Sequence, residues 1–129
     1  MQFTEAMLDL KKRLLELGHD AFLTNLAASF LGKSDADKEA VKIHQKHSMD
    51  TIREFWELMQ GADAILVANY TKKGIANYIG GATLMEMGFA HILKQKIFLL
   101  NPIPEIDLYK TEIEAVKPVV INGNLTLIK

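Results

Sequence analysis

The chain of 129 residues has no cysteine. That excludes disulfides and thiolate chemistry and is compatible with a cytoplasmic setting. It also lacks an excess of either charge: fifteen Lys plus Arg stand against sixteen Asp plus Glu, a net charge of -1. No broad electropositive field is therefore available to hold a nucleic-acid backbone, which speaks against a polymer partner and leaves room for a small polar ligand. Long hydrophobic runs are missing too. "AILVA" and "IFLL" are strand-sized and far too short to span a bilayer, so no membrane is expected. The opening residues, "MQFTEAMLDLKKR", contain no apolar signal-peptide core. Internal repeats, low-complexity stretches and linkers are likewise absent from the pattern. What is present, 49% hydrophobic and 24% charged residues, fits one soluble globular domain over residues 1–129.

Phe3, Met7, Leu10, Leu14 and Leu17 recur at spacings of three and four, which predicts an amphipathic helix ended by Gly18. Asp20 to Thr24 reads as a short strand, "NLAASFLGKSDAD" as a connecting loop, and Asp35 to Met59 as a second helical region broken near Ser48. "ADAILVAN", Ala62 to Asn69, is apolar throughout between Gly61 and the polar loop "NYTKKGIANYIGG", as expected of a strand covered on both faces. A helix containing Glu86 follows, then the strand "KIFLL", the loop "NPIPEID", a short helix around Leu108 to Val116, and two small strands, "PVVI" and "LTLI", joined through "NGN". This alternation predicts an α/β sandwich with a mostly parallel sheet. Ligands of such folds bind beyond the carboxyl ends of the strands. Asn69 with Tyr70, and Asn101, follow strands directly, and Gly80 and Gly81 open a helix whose N-terminus favours an anionic group.

Glu86 is the one acid in "NYIGGATLMEMGFAH", and desolvating an unpaired carboxylate costs several kcal/mol. On a helical wheel it shares a stripe with Thr83, Ala90 and Lys94, while Ala82, Met85, Phe89 and Leu93 form the opposite one. The plain reading is that this partly polar stripe meets solvent. The functional reading turns its first part toward a cleft, with an ionised carboxylate acting as nucleophile. Other candidates have plain explanations as well. Gly80-Gly81 lacks the spacing of a phosphate-binding loop. His44 and His47 could share a metal but lie among Lys42, Gln45 and Lys46, as on a solvated face, and no third ligand is evident. His19 and His91 have no recognisable partner. Asp50 is either a helix N-cap or a site carboxylate. Phe55 and Trp56 are core or interface aromatics. No metal or cofactor is implied.

The segment "GADAILVANYTKKGIANYIGGATLMEMGFAHILKQKIFLLNPIPE", Gly61 to Glu105, resembles the nucleoside 2-deoxyribosyltransferase-like superfamily. "LLELGHDAF" before it and "KPVVINGNLTLI" after it extend the likeness more loosely. The resemblance implies a flavodoxin-like three-layer α/β sandwich and cleavage or exchange of the N-glycosidic bond of a nucleoside or nucleotide. "MEMGFA" is similar to the family's Glu-then-Gly-Ala marker, which makes Glu86 the expected nucleophile. Asp50 is the expected second catalytic acid, and Asn69, Tyr70, Asn77, Gly80, Gly81 and Asn101 are expected to line the cleft. A homo-oligomer is implied as well. The alternative, a non-catalytic module that binds a nucleotide-like metabolite, uses the same cleft. Two departures are visible. The family's aspartate six residues before the nucleophile is replaced by Gly80. Relatives also open with an apolar strand and small-residue loop ahead of a helix like "FTEAMLDLKKRLLELGH", so the first strand is expected to be missing here through a late start.

Overall fold

The computed structural model describes residues 4–23 and 50–129, and the chain forms two compact units, Met1–Leu58 and Met59–Lys129. In the first unit, α1 spans Thr4–Glu16. Leu10 on its apolar stripe is buried, while Leu15 and Leu17 are exposed. Gly18 ends the helix as expected, at φ 93. The Gly18 N–H donates to the Leu15 carbonyl and the His19 N–H to the Leu14 carbonyl, at 3.1 and 3.0 Å. This paired closure needs a left-handed residue at that place, which glycine adopts without strain.

Asp20–Leu23 form no strand, which corrects the reading of Asp20 to Thr24; Thr24 itself lies outside the described residues. A strand of that length exists only through a ladder with a neighbour. None pairs with it among the described residues, and Phe22 is left exposed. Of the expected region Asp35 to Met59, the described part is α2, Thr51–Met59.

The second unit runs β1 (Ala64–Val67), α3 (Gly81–Ile92), β2 (Lys96–Leu99), α4 (Lys110–Ala115) and β3 (Val119–Val120). The strands form a parallel sheet in the order β1-β2-β3, with Val67 in register with Leu99 and Leu99 with Val120. Parallel neighbours need a crossover, and α3 and α4 supply the two. The architecture is that of a flavodoxin-like α/β sandwich. Among the described residues, β1 pairs with β2 alone. In β2 three successive residues, Ile97, Phe98 and Leu99, are buried. Successive strand residues point to opposite faces, so the strand is covered on both sides. Helix α3 packs across β1 and β2. Met87 and Ala90 of α3, Ile113 of α4, Ile79, Ile121 and Leu125 complete the core.

"LTLI" does not form the expected strand: Leu125–Leu127 is a single 3-10 turn. Asn122 and Gly123 both have positive φ, 49 and 77, which reverses the chain after β3. The Asn124 side-chain oxygen then accepts from the Thr126 N–H at 3.2 Å and from the Thr126 hydroxyl at 2.6 Å. Local bonds of this kind compete with a ladder and win where no partner strand is at hand. No helix among the described residues is long and apolar enough to cross a membrane.

Candidate functional site

The carboxyl ends of the strands are organised by two asparagines. Asn69 and Asn101 each lie two residues past the register pair Val67 and Leu99. The Asn69 amide nitrogen donates to the carbonyls of Asn101 and Pro102, at 2.9 and 3.1 Å. Its oxygen accepts the Asn101 N–H at 2.9 Å. In return the Asn101 amide donates to the Asn69 carbonyl at 3.1 Å. Asn69 is only 1% exposed, so each of these bonds forms away from water, where an unmet partner is expensive. Asn69 is thus a clamp that extends the β1–β2 ladder past the strands, with neither amide hydrogen left for a ligand. Half-buried Asn101 shares the rim.

Beyond Asn69 the chain turns out and returns. Lys72 and Ile75 exchange backbone hydrogen bonds at 3.1 and 3.0 Å around Lys73 and Gly74, whose φ values of 54 and 73 fit a type I′ turn. Asn77, also left-handed at φ 58, donates its N–H to the Thr71 hydroxyl at 3.4 Å. The Tyr78 N–H then bonds the Tyr70 carbonyl at 3.1 Å, closing a small flap. Tyr70, Asn77 and Gly80 are half-buried along this loop, and Gly81 is exposed. Gly80 caps α3 with its backbone alone, and the first turn carries no acid. A Cβ on Gly80 would lie 3.3 Å from the Tyr78 ring, so the glycine makes room for that ring.

Two residues absent from the sequence reading join here. The Tyr109 hydroxyl donates to the Ile79 carbonyl from 30 residues away, tying the segment before α4 to the start of α3. Burial, and then the neighbouring Tyr78 phenol, push the Tyr109 phenol above its ordinary range. "NYIGG" offered a local hint for Tyr78. No local pattern marks Tyr109, because its partner is a backbone carbonyl distant in sequence.

Glu86 is the sixth residue of α3. The wheel stripes are as read, but the rotation of the helix is not that of the plain reading. Met85 and Ile92 are 43% and 76% exposed, whereas Met87 and Ala90 are buried and Glu86 lies half-buried on the same flank. Among the described residues no hydrogen bond or ion pair reaches its carboxylate. Burial raises its pKa from 4.5 to about 7. At neutral pH the acid is therefore about half protonated, in place of the fully ionised group expected from the sequence. Such a group can give or take a proton, or attack a carbon once ionised.

Asp50, the other expected acid, is exposed and belongs to the first unit. Its Oδ1 accepts the Arg53 N–H at 3.2 Å and its Oδ2 lies 3.2 Å from the Arg53 guanidinium, so it is the N-cap of α2. His19 is half-buried and His91 exposed; His44 and His47 lie outside the described residues. No group of three potential metal ligands occurs among the described residues. No protein-family model, curated protein or solved structure matches the chain. The resemblance therefore rests on the residues quoted above.

Proposed function

We propose that the protein cleaves or exchanges the N-glycosidic bond of a nucleoside or nucleoside monophosphate, with Glu86 as nucleophile. The observation that carries this reading is an unpaired acid turned inward on α3 and held at a pKa of about 7 by burial. A folded chain keeps such a group against its desolvation cost when the group has a task. In the proposed step a Glu86 oxygen attacks the anomeric carbon as the bond to the base nitrogen breaks. The bonding pair leaves with the base, which takes a proton from solvent. Water, or the nitrogen of a second base, then displaces Glu86 from the glycosyl ester, and the carboxylate is restored. The sequence closes with a carboxylate and water, so no cofactor is called for.

Tyr70, Asn77, Gly80, Gly81 and Asn101 would line the cleft, with Asn69 behind them holding the rim. The start of α3 suits a 5′-phosphate, because its N-cap Gly80 brings no side chain to the first N–H groups and the first turn carries no acid. A cytoplasmic setting fits the cysteine-free chain, and a homo-oligomer fits the resemblance.

The test is a panel of ribo- and deoxyribonucleosides with their 5′-monophosphates, read by mass for released base. Glu86→Gln should lower release at least about a hundredfold while leaving ligand-induced thermal shifts in place. A nucleophile must be ionised, so kcat/KM should rise with pH through about 7, the value burial gives Glu86. A falling limb there would make Glu86 a general acid instead. Ligand shifts without turnover would leave a metabolite-binding module, and a panel with neither would end the reading.

A further inference from the structure

Two phenols stand at the start of α3, and only one of them is engaged. The Tyr109 hydroxyl donates to the Ile79 carbonyl. The Tyr78 hydroxyl has no hydrogen-bond partner among the described residues, although Tyr78 is half-buried and close enough for its charge to be felt at Tyr109. Its position is fixed from two sides. The Tyr78 N–H is held by the Tyr70 carbonyl, directly after left-handed Asn77, so the flap delivers the ring to one place. That place is the face of Gly80. A Cβ on Gly80 would meet Cε1, the hydroxyl oxygen and Cζ of Tyr78 at 3.3, 3.6 and 3.8 Å, so it is the polar end of the ring that lies on the glycine. Gly80 has φ -84 and ψ 174, extended backbone open to any residue, and the N-cap place it fills favours Ser, Asp or Asn. Backbone conformation therefore does not ask for glycine here, whereas a seat for the phenol does. Phenylalanine would fill the same seat, so packing does not account for the hydroxyl.

We infer that Tyr78 contacts the ligand of the site proposed above, its hydroxyl bonding the 5′-oxygen of the sugar, whether that oxygen is a free hydroxyl or part of a phosphate. The inference rests on that reading for the place of the sugar. Displacement at the anomeric carbon sends the base off the face opposite the nucleophile, so what lies along the nucleophile's own helix is sugar. Glu86 is six residues past Gly80, ~9 Å along the axis, and a helical side chain leans back toward the helix start. Of the sugar's substituents, the one on C5′ reaches farthest from the anomeric carbon and can span what remains. A phenol both donates and accepts, so it serves a hydroxyl and a phosphate oxygen alike. Gly80 then acts on the ligand through the ring that it seats.

Calorimetric titration with ribonucleosides, their 5′-monophosphates and their 5′-deoxy forms tests this without needing turnover. Tyr78→Phe should weaken binding of the nucleoside or the monophosphate about tenfold and leave the 5′-deoxy form unchanged, because that form has no oxygen to lose. The series that suffers tells whether the hydroxyl or the phosphate is held. The free Tyr78→Phe protein should melt within about 2 °C of the wild type, since no bond inside the chain is broken. Tyr109→Phe is the contrast. It loses the bond to Ile79, so Tm should fall by about 4 °C, and any loss of affinity should be the same with and without the 5′-oxygen. Binding indifferent to Tyr78→Phe, or an equal loss for the 5′-deoxy form, would overturn the inference while leaving the proposed chemistry standing. Absence of binding by all three series would remove both.

Discussion

β2 and α3 pack on each other, but the strand buries apolar side chains on both faces, whereas the helix turns Met85 and Ile92 outward and an acid inward. The strand follows the rule that apolar surface leaves water. The helix breaks it twice over. Places where a fold departs from its own pattern are where something other than stability has shaped the sequence. The departure in α3 has two sides, an inner one bearing Glu86 and an outer one bearing Met85 and Ile92, and a single rotation of the helix produces both.

The contrast can be broken most severely in the strand. Leu99 is fully buried, and Leu99→Ala should cost about 3–4 kcal/mol, read as a lower urea midpoint. A loss under about 1 kcal/mol would mean that the sheet is not the core. Glu86→Gln should sharpen the contrast from the helix side. The folded state holds a proton on Glu86 up to about pH 7, whereas the unfolded chain releases it near 4.5. Stabilisation from that proton is complete below pH 4.5 and is lost as pH rises through 7. The wild type should therefore fall in stability between pH 5 and 8 by at most about 3 kcal/mol, a ceiling because Glu86 is half-buried rather than fully buried. The glutamine variant should lack that slope in thermal melts at the two pH values. Equal slopes would place the carboxylate in solvent. Next in size is the rim: Asn69→Ala removes three bonds and strands the Asn101 N–H, at about 2 kcal/mol. The smallest effect belongs to the outer face, where Ile92→Gln in dilute protein should change stability by less than about 0.5 kcal/mol.

Local pattern made much of this visible. The three- and four-residue spacing that ends at Gly18 becomes α1, and the apolar runs around Ala64–Val67 and Lys96–Leu99 become neighbouring strands. Asp20–Leu23 and Leu125–Leu127 depart from the strands that their apolar pattern predicts, because a short apolar piece becomes a strand only where a partner waits, and composition does not say where partners are. The wheel grouped Glu86 with Ala90 correctly, yet it could not fix which stripe faces the sheet. That rotation is set by packing against β1 and β2. The Asn69–Asn101 exchange spans 32 residues, and the Tyr109 bond to Ile79 spans 30. Pairings at such separations leave no periodic trace. Asp50 was readable as either cap or site acid, and the Arg53 N–H resolves its local role.

The amide exchange at the rim has a consequence for how new specificities could arise on this scaffold. Because Asn69 and Asn101 anchor the two loop stems to each other, the alignment of β1 with β2 is held at the base of the flap around Lys73 and Gly74 rather than by its tip. Lengthening or swapping that flap should leave strand alignment unchanged, so the scaffold invites grafting there, with the two asparagines kept as fixed mounting points.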